Sequence, residues 1–404
     1  MKTLFGLPKK IVFCKKTLVS NQRPVSKVEF LNSKTTKSKG VHIDKNRISD
    51  PWKYSRIKKK IDYKIRENQL LKLLSKYRSN SKNYDCIVPG SGGKDSCFAS
   101  HILKYKYGMN PLTVTWPPIF YTNYGKENFK NWLKIGKFEN ISAKRNFDQT
   151  KLLTKLAIEN LMHPFQAFII GQKLYPIKVA LKLKVPLIFY GENEAEHGNP
   201  LKDTLSSLRN TSFFSAKKLS DIRLGGLTLN ELYKDYKLTT KDLEDYIPPE
   251  NNELNEAKIN VQYLGYYVKW IHQEAYYYSV ENCGFRPRPF RTQGTYTKHI
   301  SIDDKIDDLH YYTYFIKFGI GRATSDVSQE IRNDHLTIEE GKKLIKKYDG
   351  EFPDIYFNDI MRELKLKKSF FFKKLDNFRS PHLWFKKGKK WKLRHTVNMD
   401  GYND

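Results

Sequence analysis

The sequence predicts an α/β protein: a parallel sheet with helices on both faces, an N-terminal arm before it and a mainly helical part after it. Two observations carry this expectation. From Tyr84 onward, short apolar runs alternate with segments whose apolar positions recur at helical spacing, as in strands joined by crossover helices. The first run, Cys86 to Val88, stops in Ser91, Gly92 and Gly93 and restarts as a helix near Asp95 and Ser96, a transition that uses the backbone freedom of glycine.

An irregular arm rich in Lys, Ser, Thr and Asn runs to Pro51, and residues 57–77 read as a basic amphipathic helix with Ile57, Ile61, Ile65 and Leu73 near one face. After the first strand, Phe98, Ile102, Leu103 and Tyr107 mark a helix over 97–107. A second strand spans 111–116 and a helix lies around 128–135. A short strand follows at 140–143, then helices over 149–161 and 167–183, and then a buried strand at 185–190. Residues 201–260 hold polar loops and two short helices ended by Pro248 and Pro249. Residues 262–285 are aromatic-rich and read as core packing, and the last part combines a Lys-rich helix-turn pattern with a strand-like WKLRH. These segments group as 1–80 (arm and helix), 81–200 (nucleotide-binding α/β part) and 201–404 (substrate or partner region).

A chain of 404 residues, 39% hydrophobic and 14% aromatic, can bury a large core and is not a disordered segment. Its net charge of +30 points to an anionic partner. That partner could be nucleic acid, a membrane surface or a phosphorylated substrate, but the lysines are scattered beside many Asn, Ile and Tyr, a mixture that a compositional bias of the coding sequence also gives, which discounts the charge in part. Four cysteines in no regular framework fit a reducing compartment. Pro8, Lys9 and Lys10 break the first apolar run, and no stretch approaches a membrane span. The expected setting is the cytoplasm, without a membrane partner.

In parallel sheets ligands sit at the carboxyl ends of the strands. There, the N–H groups of Ser91, Gly92 and Gly93 and the positive end of the following helix form a phosphate cradle, with Ser96 completing the set. Lys94 is followed by Asp95, which excludes a Walker loop, where a hydroxyl must follow the lysine. Trp116, at the end of the second strand, is assigned to nucleotide binding. Glu192, Glu194 and Glu196 follow the strand at 185–190 and read two ways, as a solvated turn or as metal and substrate ligands. Arg322, beside glycines and followed by Asp326, Gln329, Glu330 and Arg332 at helical spacing, suits phosphate or carboxylate recognition and equally an ion-pair network.

SGGKDS matches the pyrophosphate loop of ATP pyrophosphatases. Together with ILKYKYG, PLTVTW, FIIGQK, FYGENEAEHGNP, SIDDKIDDLHYYTYFIKFGIGRAT, SQEIRN and DGEFP, it makes the chain resemble the N-acetyl sugar amidotransferases from Cys14 to about His395. These are enzymes of bacterial surface-polysaccharide and flagellin sugar biosynthesis with an adenine nucleotide α-hydrolase-like fold. The resemblance implies that an acetamido oxygen of a nucleotide-activated sugar attacks the α phosphate of ATP, and that ammonia then displaces AMP to give an acetamidino group. It implies Ser91, Gly92, Gly93, Asp95, Ser96, Trp116 and Glu194 as ATP contacts, Lys94, Asp95, Glu192 and Arg322 as catalytic groups, and Asp95 as the ligand of Mg2+. None of the four cysteines has a glutaminase setting. Ammonia is therefore expected from a separate glutaminase with an ammonia-channelling subunit, as the family also implies. His163, His197 and His310 are the candidate proton acceptors.

One departure stands out. The family carries two CxxC pairs fit for zinc, whereas here only Cys14 remains, with Thr17, Ser49 and Trp52 at the other positions. A zinc-free and looser arm is expected. Two rivals share the phosphate loop: a tRNA-modifying enzyme of the same superfamily, which the charge favours, and a nucleotide-sugar-binding homologue without catalysis.

Overall fold

The computed structural model describes residues 1–79, 83–193, 196 and 198–397. Five parallel strands form the sheet: β1 (Cys86–Pro89), β2 (Pro111–Thr115), β3 (Asn140–Ser142), β4 (Leu187–Tyr190) and β5 (Asn260–Tyr263), in the order β3-β2-β1-β4-β5. Cys86 to Pro89 lie opposite Pro111 to Val114, and Ile87 faces Ile188 on the other side. Strand order thus reverses at β1. The loops leaving β1 and β4 diverge and open a crevice at the carboxyl edge.

The apolar runs reflect burial on both faces. Cys86 and Val88 pack with Leu70, Leu74, Phe98 and Leu103, whereas Ile87, Leu112 and Ile188 pack with Ile177, Ala180 and Val261 on the opposite face. The helices are α1 (Asp50–Lys58), α2 (Tyr63–Ser75), α3 (Lys94–His101), α4 (Asn123–Ile135), α5 (Phe147–Leu161) and α6 (Gln166–Leu183). Farther on come α7 (His272–Cys283), α8 (Ile306–Phe318) and α9 (Arg322–Arg332), and later the hairpin β6 (Trp384–Lys387) and β7 (Lys390–Leu393). Helix α3 continues as a π-helical turn over Ile102–Lys106. No helix among the described residues is long and apolar enough to cross a membrane.

Three expectations need correction. The helix expected over 57–77 is broken: Asp62 caps a new helix by accepting from the N–H groups of Lys64 and Ile65. Ile65 is then 58% exposed while Leu70 and Leu74 are fully buried, so the core-facing stripe is not the one periodicity suggested. The sheet also does not end near residue 200, because β5 lies beyond it and pairs along the whole length of β4. Finally, the arm is irregular but not loose. Leu18, Val19, Phe30 and Val41 are buried, and Gln22 is held through its carboxamide oxygen by His382, 3.0 Å away.

Within the arm, the positions of the lost thiolates still converge. Cys14 Sγ accepts from the N–H groups of Lys16 (3.4 Å) and Ser49 (3.3 Å), and the hydroxyls of Thr17 and Ser49 meet at 3.2 Å in full burial. Hydrogen bonds hold this turn. Among the described residues no group of three or more His, Cys, Asp or Glu is placed to hold a metal ion.

The C-terminal helices are tied to the sheet by Asp304. Its carboxylate accepts from the N–H groups of Ile119 and Phe120, just after β2, and of Ile306 at the start of α8. Burial pushes its carboxyl up to about 6 despite these donors.

Candidate functional site

A cavity of about 400 Å³ lies at the carboxyl ends of β1 and β4. Its floor is the turn Ser91-Gly92-Gly93. Gly92 has φ +85°, and a Cβ there would stand 2.6 Å from Phe129 Cα, so only glycine fits. Gly93 differs: nothing lies within 4 Å of where its Cβ would be. As the N-cap of α3 it offers no side chain, so no side-chain cap covers the first N–H groups of that helix on the cavity side. Gly191, ending β4, lets that strand approach α3: a Cβ would meet the Asp95 carbonyl oxygen at 2.6 Å.

Lys94 is nearly buried, with Nζ 2.5 Å from Asp95 Oδ2 and 5.7 Å from the centre of the Trp270 ring. Facing the loop, Arg322 donates from Nε to Asp326 Oδ1 (2.9 Å) and covers the Tyr311 ring at 4.3 Å. Burial opposes its charge, but Asp326, Tyr311 and Asp307 outweigh that and hold its pKa above the ordinary value. Asp303 accepts the Ser91 hydroxyl proton at 2.7 Å. Asp307, in the first turn of α8, is pushed well above the usual carboxylate range by burial and by Asp303, Asp304 and Asp308. Two imidazoles complete the wall. Burial, Lys94 and Arg322 drive His299 down to about 3, and burial with Lys94, His299 and Arg322 drives His272 well below its usual value, so both are neutral.

The structure therefore brings Ser91, Gly92, Gly93, Lys94, Asp95, Glu192 and Arg322 to one cavity. It does not bring Trp116 there. That ring is buried in the core against Tyr175 and Tyr246, so close to Gly171 that a Cβ there would clash with it. The Ser96 hydroxyl turns back onto the Gly93 carbonyl at 2.9 Å. Glu194 and His197 lie outside the described residues. Glu196 borders the cavity but serves as an anchor, pairing with Lys58 Nζ at 2.7 Å and with Arg332 at 3.2 Å, all three side chains being buried. Of the two arginines, then, one faces the cavity and the other belongs to an ion-pair network. His163 and His310 stack on each other in a different cavity.

Sequence reasoning missed Asp303, Asp307, His272, His299 and Arg23 on the wall. The run of acids in SIDDKIDD was a usable signal, since Asp303 precedes α8 and Asp307 lies in its first turn. Arg23, in an irregular segment, has none. For Mg2+, which takes one or two carboxylates together with phosphate oxygens, Asp95, Asp303 and Asp307 are carboxylates of suitable type that line the cavity, although they do not converge as one cluster.

The fold and site define a class: α/β proteins with a glycine-built turn opening on a crevice where strand order reverses. Residues 293–398 match a family model described as LPS biosynthesis protein WbpG-like, C-terminal domain. This similarity links that segment, which holds Asp303, Asp307 and Arg322, to lipopolysaccharide biosynthesis. No curated protein matches the chain.

Proposed function

We propose that the chain is an ATP-dependent, AMP- and pyrophosphate-forming amidotransferase acting on an acetamido group of a nucleotide-activated sugar in lipopolysaccharide or related glycan biosynthesis. One observation carries this reading: the glycine cradle lines one cavity together with Asp303, Asp307 and Arg322, which belong to the segment similar to a lipopolysaccharide-biosynthesis family. In it, the N–H groups of the loop and Lys94 hold the β and γ phosphates of ATP, and Arg322 meets the charge from the opposite wall. Asp95, with Asp303 or Asp307, would hold Mg2+, which would supply charge neutralisation at the phosphates.

The acetamido oxygen attacks the α phosphorus and pyrophosphate leaves. Ammonia then adds to the imidate carbon, AMP departs with the oxygen, and the nitrogen loses a proton. That proton passes to water, because burial beside Lys94 and Arg322 makes His272 and His299 poor acceptors. Ammonia comes from a partner glutaminase through a channelling subunit, since Cys14, Cys86, Cys97 and Cys283 are all buried.

The test is pyrophosphate release by the purified chain with ATP, Mg2+ and ammonium. Dependence on a nucleotide-linked acetamido sugar supports the proposal, whereas dependence on tRNA or no release at all overturns it. Glutamine hydrolysis by the chain alone would remove the partner from the scheme.

A further inference from the structure

Beside the first cavity lies a second, of about 290 Å³, that the proposed reaction leaves unused. Its walls come from residues 23–29 of the arm, the turn between α5 and α6, and α8. Three cationic side chains, Arg23, Lys27 and Lys317, face it. The one carboxylate of the lining among the described residues, Glu29, is already engaged: it lies 3.4 Å from His163 Nε2 and accepts from Asn32 at 3.1 Å. Lys317, 8% exposed, donates from Nζ to the Leu161 carbonyl at 2.7 Å.

The imidazoles supply a second, independent sign. His163, 9% exposed, stacks on His310 with ring centres 5.0 Å apart, and Nδ1 of each is buried without a hydrogen-bond partner. An unsatisfied buried polar atom costs about 1–3 kcal/mol, and two in one cavity wall mark a place that a polar ligand completes. An anion fits this set best. It would neutralise the excess of cations and accept the N–H that each neutral imidazole carries in one tautomer.

The two cavities are neighbours. Arg23 lines both, and Phe165 on the first wall stacks with His310 on the second at 5.5 Å. The glycine cradle is not part of the second lining, so ATP phosphates are not its natural occupant. We propose that the second cavity is an anion site that takes a phosphoryl or carboxylate group of the acceptor, held by Arg23, Lys27, Lys317, His163 and His310. Naming the acceptor rests on the proposed function; the anion site itself does not.

Calorimetric titration of the full chain tests it, with the first cavity filled by a non-hydrolysable ATP analogue and with UDP, glucuronate and inorganic phosphate as probes. At least one probe should bind saturably, and Lys317→Met and His310→Phe should each weaken it tenfold or more. UDP without glucuronate assigns a phosphoryl group, and glucuronate without UDP a carboxylate; phosphate alone leaves an anion site that excludes both acceptor probes and overturns the acceptor assignment. Lys94→Ala should abolish binding of the analogue and leave probe binding intact. No saturable binding of any probe, or binding indifferent to both second-cavity substitutions, overturns the site. Should the wild-type chain fail to bind the analogue, titration without it still reads the second cavity, because the substitutions separate the two.

Discussion

The two cavities share Arg23 and differ in what gathers their charge. The first relies on backbone: a glycine at positive φ, an N-cap without a side chain and the end of α3. The second relies on side chains from the arm and from α8, with residues 23 and 317 far apart in the chain. A backbone cradle needs only a few consecutive residues, so it is written locally. A side-chain cradle exists only once distant segments have packed, so its residues look like any surface lysines and histidines until the fold is known.

The contrast can be broken from either side. Glu196 anchors the wall between Lys58 and Arg332, and Glu196→Gln leaves two buried cations short of their carboxylate. We expect a loss of about 3–5 kcal/mol in a denaturant melt. Glu192→Gln should act on the reaction instead, lowering pyrophosphate release about 100-fold if Glu192 is catalytic.

The two glycines separate shape from ligand approach. Gly92→Ala should cost about 1–3 kcal/mol of stability through the strained φ, and more through its clash with Phe129. Gly93→Ala should melt like the wild type, since φ −71° suits alanine and the space is open. Yet its methyl would stand where a phosphate must approach the N–H groups, and binding of an ATP analogue should fall about 100-fold, or about 2.7 kcal/mol. Unchanged binding would remove the loop from the ATP site.

For the second cavity, Lys317 carries a pH signature. Burial lowers its pKa to about 7, against about 10.4 in the unfolded chain. Between these values the unfolded state binds more protons, so this group makes the wild type gain stability as pH rises from 7 to 10. Lys317→Met abolishes that dependence. It should be more stable than the wild type by about 2 kcal/mol at pH 7, after the loss of the Leu161 hydrogen bond, with the gap closing toward pH 10. Parallel pH–stability curves would show that Lys317 is not buried as described.

The smallest effect concerns the turn in the arm. Thr17→Val leaves the Ser49 hydroxyl without its buried partner and should cost about 1 kcal/mol in a thermal melt. Elemental analysis of the purified wild type should find no stoichiometric zinc.

Much of the sheet was legible because the buried strands are short apolar runs and some helix starts carry their own cue. Thr122 and Asn146 accept from N–H groups of the first turns of α4 and α5, which is why those helices begin upstream of their first periodic residues. The break at Asp62 was hidden by Ile61 and Ile65, which keep helical spacing across it. Strand β5 was hidden by the aromatic residues that follow Tyr263. Trp116 was misplaced because position along a strand does not say which face a side chain takes; here it points into the core. Asp303 reaches Ser91 only through tertiary packing, so no local pattern announces it.

That contact has a bearing on how the chain is made. Ser91 is bonded to Asp303, and the loop after β2 to Asp304, so the phosphate cradle gains its last partners from a stretch synthesised more than two hundred residues later. Contacts of such sequence separation form late. On the ribosome, an unfinished chain would carry the glycine turn without the wall that fixes it. On the proposed function, competence to bind ATP would then mark a chain that has been made past Asp303, and a product ended before it should fail to retain ATP.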